Sequence, residues 1–177
     1  MSPLRQIAVW ITILTLTVGA GSVSATNRNG CYKFADSVIS WFNGGTGDYF
    51  AIYEEEAKTD ADAWDPFTDV SFKSVAAAGT TDHINAYNGF YGSTGWLSLA
   101  ELRTVSGCTI QNGRLRMNQT YLDSGSYTRS QKKATACNAI GKILGLTNQS
   151  GTAGCMDGTL NNPFPSAHDR DTINAIY

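Results

Sequence analysis

Residues 138–148 of this 177-residue chain read N-A-I-G-K-I-L-G-L-T-N. The first nine of these residues end a segment, residues 130–146, that we predict to be one long helix. Small or apolar residues recur along one side of that segment at helical spacing, namely Ala134, Cys137, Gly141 and Leu144. Gly145 is a helix C-terminal signal, because glycine readily adopts the left-handed conformation that ends many helices. We therefore expect the helix to pack through this stripe and the chain to turn after it.

The rest of the chain reads as strands with an early helix among them. That helix is predicted to begin at an N-cap, Asp48, and to stop at Pro66. Alternation and turn signals predict strands over residues 38–42, 70–75, 83–87, 97–102 and 114–121, and a closing helix over 169–176. This order of elements is typical of an α/β or α+β domain.

The N-terminus has the pattern of a secretory signal peptide. Arg5 provides a positive charge, residues 7–18 are mostly apolar, and Val23-Ser24-Ala25 is a small-residue cleavage site. The apolar stretch is shorter than the roughly 20 residues that cross a bilayer. We predict a signal peptide over residues 1–25, a single domain over 26–177, and a secreted, extracellular protein without a membrane anchor after cleavage.

Net charge and cysteine content further limit the class of protein to which this chain can belong. The formal net charge is −2, which gives no electrostatic basis for binding nucleic acid or an anionic membrane. The four cysteines are an even number behind a signal peptide, which predicts two disulfides, although four cysteines allow three pairings. They lack the C-x-x-C spacing of a zinc site. We expect a disulfide-bonded monomer.

Residues 138–148 also hold the frame of a zinc-protease motif, H-E-x-x-H-x-x-G-x-x-H. Gly145 falls on the glycine of that template. The three histidine positions are occupied by Asn138, Lys142 and Asn148, and the glutamate position by Ala139. The frame is therefore kept, while every residue that would bind zinc or act as the general base is replaced.

Four pieces of sequence extend this match. They are residues 92–99 (G-S-T-G-W-L-S-L), 136–146 (A-C-N-A-I-G-K-I-L-G-L), 155–157 (C-M-D) and 165–177 (P-S-A-H-D-R-D-T-I-N-A-I-Y). In this order they resemble secreted matrixin-like metallopeptidases of the metzincin clan. The resemblance implies a metzincin-like zincin fold: a twisted mixed five-stranded sheet, two long helices and a small C-terminal subdomain.

The resemblance also implies roles for several residues. Met156 would form the Met-turn beneath the metal site, which would place Cys155 beside Cys137. Those two would then form one disulfide, which leaves Cys31 to pair with Cys108. Trp96 would flank the old site and line a substrate groove, although it is equally suited to a core position.

The replacements are poor zinc ligands. Two carboxamides, Asn138 and Asn148, suit harder cations, and the ammonium of Lys142 has no lone pair. At about 4 Å and an effective dielectric constant of about 20, this cation would repel a dication by about 8 kcal/mol. Ala139 has no acid–base function. We therefore predict no catalytic residue, no metal site and no cofactor. A zinc ion is expected only under the alternative that the metal site lies elsewhere in the protein.

Other catalytic sites find little support. His83 and His168 are the only histidines, and both suit hydrogen-bonded structural positions. No G-x-S-x-G motif of a serine hydrolase occurs. Asn118 and Asn148 each begin a glycosylation sequon.

Three functions remain open. The leading hypothesis is a non-catalytic pseudopeptidase that binds an extracellular polypeptide. The alternatives are an active zinc endopeptidase with a displaced metal site, and a disulfide-stabilised structural or defensive secreted module.

Overall fold

The computed structural model describes residues 27–177, so the predicted signal peptide over 1–25 lies outside the described residues. These residues hold a six-stranded, mostly parallel sheet. The strands are β1 (Lys33–Phe34), β2 (Val38–Asn43), β3 (Ser71–Ser74), β4 (His83–Gly89), β5 (Ser98–Ser106) and β6 (Thr109–Asn118). Their order is β1-β6-β4-β2-β3, and β5 runs antiparallel to β6. The mixed α/β class is confirmed. The predicted count of five strands is one too few, because β1 has only two residues.

Within residues 27–177, five α-helices accompany the sheet. They are α1 (Asp48–Glu54), α2 (Trp64–Phe67), α3 (Gln119–Leu122), α4 (Arg129–Ile143) and α5 (Ala167–Ile176). A π-helical turn, Glu55–Thr59, continues α1, and a 3₁₀ turn, Cys155–Asp157, precedes α5. No helix in the described part of the chain is long and apolar enough to cross a membrane.

Two boundary predictions for the first helix were wrong. Asp48 is the first helical residue, and the N-cap is Gly47, which makes no side-chain cap bond. Pro66 does not stop this helix. The π-helical turn already ends at Thr59, and Pro66 lies inside the short helix α2. Proline fits there because the first turn of a helix needs no partner for its backbone N–H groups.

Helix α4 is the centre of the molecule. It begins in a capping box, in which Thr128 Oγ1 accepts from the Gln131 amide and Gln131 Oε1 accepts from the Thr128 amide. Most of its residues from Ala134 to Ile143 are buried, so it lies within the core and not on its surface. A Cβ on Gly141 would lie 2.4 Å from Met156 Sδ and 2.7 Å from the Trp64 ring. Glycine at 141 therefore permits this close packing.

Both disulfides form as predicted. Cys31 pairs with Cys108, and Cys137 pairs with Cys155. The first connects the segment before β1 to the turn between β5 and β6, and the second connects α4 to the 3₁₀ turn. Two disulfides fit an extracellular protein.

The π-helical turn buries a carboxyl group. Glu56 is fully buried, and its nearest cation, Lys133 Nζ, lies 3.2 Å from Oε1 while also bridging Glu55 and Asp60. Desolvation by burial raises the pKa of Glu56 from 4.5 to about 8, against the attraction of Lys133. Glu56 therefore folds as the neutral acid over most of the physiological range.

This shift predicts a pH-dependent stability. Because the pKa of Glu56 is higher in the folded state, folding takes up a proton between pH 4.5 and about 8. The contribution of Glu56 to the free energy of unfolding therefore falls as pH rises through that window. Glu56→Gln removes the titration. We expect its unfolding free energy to exceed that of wild type by about 3 kcal/mol more at pH 8 than at pH 5. Urea unfolding at both pH values measures this, and an equal difference at both would refute it.

Candidate functional site

Asn138, Lys142 and Asn148, which fall on the histidine positions of the zinc-protease template, lie together in the structure. Asn138 Nδ2 donates a hydrogen bond to Asn148 Oδ1 at 2.9 Å. Lys142 lines the same cavity as these two residues, a space of about 240 Å³ that Trp96 and Thr135 also line. Asn138 and Asn148, which are ten positions apart in the sequence, therefore meet at this cavity.

The turn after α4 produces this convergence. Gly145 has φ +103°, and a Cβ there would lie 2.4 Å from the Tyr32 carbonyl oxygen, so only glycine fits. The chain then runs beside the N-terminal segment, where the Thr147 amide donates to the Asn27 carbonyl at 2.6 Å. An isolated β-bridge pairs Leu146 with Arg28. These contacts return Asn148 to the open side of α4.

Met156 lies against α4, beside the same cavity. It is fully buried, and its Sδ lies 3.9 Å from Asn138 Nδ2. The Gln149 amide donates to the Met156 carbonyl at 2.8 Å, which joins the segment after Asn148 to the 3₁₀ turn. The turn is thereby held under α4 by this bond and by the Cys137–Cys155 disulfide.

The amide of Asn138 is committed to neighbouring oxygen atoms. Besides the bond to Asn148, Nδ2 donates to the Cys155 carbonyl at 2.8 Å. A carbonyl oxygen only accepts, so this contact fixes which end of the amide faces it. Both hydrogens of the buried amide are therefore used, and the nitrogen presents no lone pair to a metal.

Lys142 adds an unpaired cation. Its side chain is half-buried, and within residues 27–177 its ammonium makes no ion pair and no hydrogen bond. Burial lowers the pKa of Lys142. A second cavity, of about 380 Å³, shares Lys142 and Asn148 with the first and is lined by Ala100 and Leu102 of β5. We call the two cavities together the groove.

These residues do not fit zinc. The positions that would supply three imidazole nitrogens hold an amide nitrogen that donates, an amide oxygen that already accepts, and an ammonium. Ala139, at the glutamate position, is fully buried in the core and does not line the groove. Across the described residues, no group of three or more His, Cys, Asp or Glu side chains is arranged to hold a metal ion.

The two histidines lie elsewhere. His83 begins β4, where its Nδ1 contacts the Thr81 carbonyl. His168 is in α5, with its Nδ1 3.9 Å from Asp169 Oδ1. Neither lines the groove.

The two sequons differ in access. Asn118 is fully buried, its Nδ2 donates to Gly92 O and Thr94 Oγ1 at 2.9 Å each, and its Oδ1 accepts from the Tyr91 and Thr120 amides. This side chain organises the loop before β5 and is closed to modification in the folded state. Asn148 is exposed at the groove.

The wall of the groove was not predicted from the sequence. Ser98, Ala100 and Leu102 of β5 line it, whereas only Trp96 was proposed from sequence. Their two-residue spacing is visible in the stretch L-S-L-A-E-L-R, and it places them on one face of the strand. That signal identifies a shared face but not what the face looks onto.

No model of a known protein family matches the chain, and no curated protein matches its sequence.

Proposed function

We propose that this protein is a secreted, non-catalytic relative of matrixin-like metallopeptidases that binds an extended polypeptide in the groove without cleaving it. One observation carries the proposal. The three positions of the zinc-protease frame converge beside an unpaired strand edge, and they carry a hydrogen-bonded asparagine pair and a free ammonium. The residues that would bind zinc and act as the general base are missing from these positions, while the groove and the edge of β5 could hold a peptide.

The edge of β5 is the first element of the binding site. Among residues 27–177, β5 pairs only with β6. The Leu97 carbonyl accepts from the Asn118 amide on β6, and in an antiparallel pair the backbone groups of alternate residues point to opposite sides. The N–H and C=O groups of Ser98, Ala100 and Leu102 therefore point away from β6. An extended peptide can add to such an edge as a further strand.

The ammonium of Lys142 is the second element. It lies where the two cavities of the groove meet, and no acidic residue in the described structure neutralises it. A half-buried cation without a partner gains most from an anionic or carbonyl ligand, because part of its hydration is already lost. We therefore expect the bound peptides to place a carboxylate beside Lys142.

The proposal is tested by selecting ligands from a phage-displayed library of random peptides and measuring their affinities by fluorescence anisotropy. Ala100→Pro removes a backbone N–H that points away from β6, a change that edge strands tolerate. We expect Ala100→Pro to weaken binding by about tenfold, the value of one hydrogen bond plus steric obstruction. Ala100→Ser keeps the N–H and is the matched control.

Two further measurements complete this test. Lys142→Gln should weaken acidic peptides selectively, and mass spectrometry should find every bound peptide intact after prolonged incubation. If the peptides bind the Ala100→Pro and Ala100→Ser proteins with equal affinity, the edge of β5 is not part of the binding site. Cleavage that a chelator abolishes would favour the active endopeptidase, and a failure to select any peptide would favour the structural module.

A further inference from the structure

A third cavity, of about 480 Å³, lies on the face of the sheet that α4 does not cover. Side chains alternate along β6, so that Gly113, Leu115 and Met117 face the core while Arg114 and Arg116 face this cavity. A Cβ on Gly113 would meet Ile143 of α4, which fixes the assignment of the two faces. The cavity is thus separate from the groove.

Three arginines give this cavity a positive charge. Arg103 comes from β5, and Arg114 and Arg116 come from β6; every other residue lining the cavity is neutral. Glu101 offsets part of this charge, since its Oε2 lies 2.7 Å from Arg114 Nε and 3.0 Å from an Arg116 terminal nitrogen. The hydrogen bond from Arg114 lowers the pKa of Glu101, which keeps it ionised. Three guanidinium groups against one carboxylate leave a local excess of two positive charges in a chain whose net charge is −2.

Two of the arginines have donors to spare. Arg103 is exposed and makes no ion pair or hydrogen bond within the described part of the chain. Arg116 Nε is buried without a hydrogen-bond acceptor. A buried donor without a partner costs about 1–3 kcal/mol, and an incoming acceptor can recover this.

The rest of the cavity is preorganised. The Arg116 guanidinium lies over the rings of Tyr91 and Trp96, at 5.2 and 5.6 Å from their centroids, which limits its orientations. The floor of the cavity is fixed by Asn85 and Asn112, whose Nδ2 atoms donate to the Gly79 carbonyl at 2.9 and 2.7 Å. A ligand therefore meets a positive site whose shape exists before binding.

We propose that this cavity binds a small ligand carrying a dianionic tetrahedral oxyanion, with a phosphate monoester as the preferred class. Arginine forks match such oxyanions bidentately, and a phosphate monoester carries about −1.5 to −2 charges at neutral pH, which complements the local excess. Tyr87 and Tyr91 line the cavity beside the arginines and offer an apolar surface to the body of the ligand. This cavity shares no lining residue with the groove, and the two sites meet at Trp96, which lines the groove and contacts Arg116.

Isothermal titration calorimetry at low salt, with phenyl phosphate, inorganic phosphate and benzoate as probes, tests the proposal. We expect phenyl phosphate to bind most tightly and benzoate, a monoanion of similar size, least tightly. Inorganic phosphate binding as tightly as phenyl phosphate would identify a free-ion site and overturn the ester preference. Backbone and side-chain amide NMR shifts should change at Asn85 and Asn112 and not at Asn138.

Two substitutions test whether phenyl phosphate binds in this cavity. Arg103→Gln removes a charge without breaking a contact, and we expect it to weaken phenyl phosphate binding by about tenfold or more. Lys73→Gln on β3 makes the same change of charge outside the cavity and should alter the affinity less than about twofold. Equal effects of the two variants, or no binding of any probe by the wild-type protein, would refute the site.

Discussion

A variant with histidine at Asn138, Lys142 and Asn148 should bind one Zn²⁺ per chain, with an affinity at least about a thousandfold above that of wild type. Asn138 Nδ2 and Asn148 Oδ1 are 2.9 Å apart, and two ligand atoms at tetrahedral angles around zinc are about 3.3 Å apart. The backbone therefore already brings two of the three positions to a suitable separation. Ala139 is retained, because it is fully buried and a glutamate there would place a charge in the core.

The matched control keeps Lys142. A double variant, Asn138→His with Asn148→His, has two imidazoles but leaves the ammonium at the site. We expect it to bind zinc far more weakly than the triple variant, because a cation at about 4 Å opposes a dication by about 8 kcal/mol at an effective dielectric constant of about 20. Competition with a chromogenic chelator measures both affinities. A folded triple variant without affinity for zinc would mean that the helix frame is misaligned.

Removal of the Cys31–Cys108 disulfide should cost about 4.5 kcal/mol of unfolding free energy, the loop-entropy value for a separation of 77 residues. Both cysteines are exposed, so Cys31→Ser with Cys108→Ser removes little buried surface and acts mainly through the unfolded chain. Such a loss is a large part of the 5–15 kcal/mol by which domains are usually stable.

Urea unfolding of the oxidised double-serine variant beside wild type measures this loss. A change below about 1 kcal/mol would show that the unfolded chain is already restricted in this region, contrary to the loop-entropy argument. The Cys137–Cys155 pair is less suitable for this comparison, because both of its cysteines are buried and their removal also disturbs packing.

The helix and its surroundings were predictable because their signals are local. Helical spacing placed α4, although the predicted end at residue 146 lies beyond its last helical residue, Ile143, and Gly145 lies two residues after Ile143. The motif frame placed Met156 and Cys155 beside α4, and the disulfide that follows from it is present. Each of these predictions needed only residues close in sequence, or a template that supplied their spatial relation.

The features that were missed depend on distant partners. Strand β1 has two residues and exists through pairing with β6, some 75 positions later, so Lys33–Phe34 carry no strand signal of their own. The π-helical turn buries Glu56 against Lys133 of α4, a partner far away in the sequence. The sequence likewise showed the alternation in β6 but could not show that Arg103 joins Arg114 and Arg116 in one cavity.

Measuring the zinc content of the wild-type protein tests our main proposal, that the ammonium of Lys142 and the carboxamides of Asn138 and Asn148 cannot hold a zinc ion. Folded, disulfide-bonded protein is dialysed with excess zinc, freed of unbound metal by gel filtration and measured by mass spectrometry of the metal. We expect no zinc above the buffer blank. One zinc per chain, removed by a chelator together with peptide cleavage, would contradict the proposal.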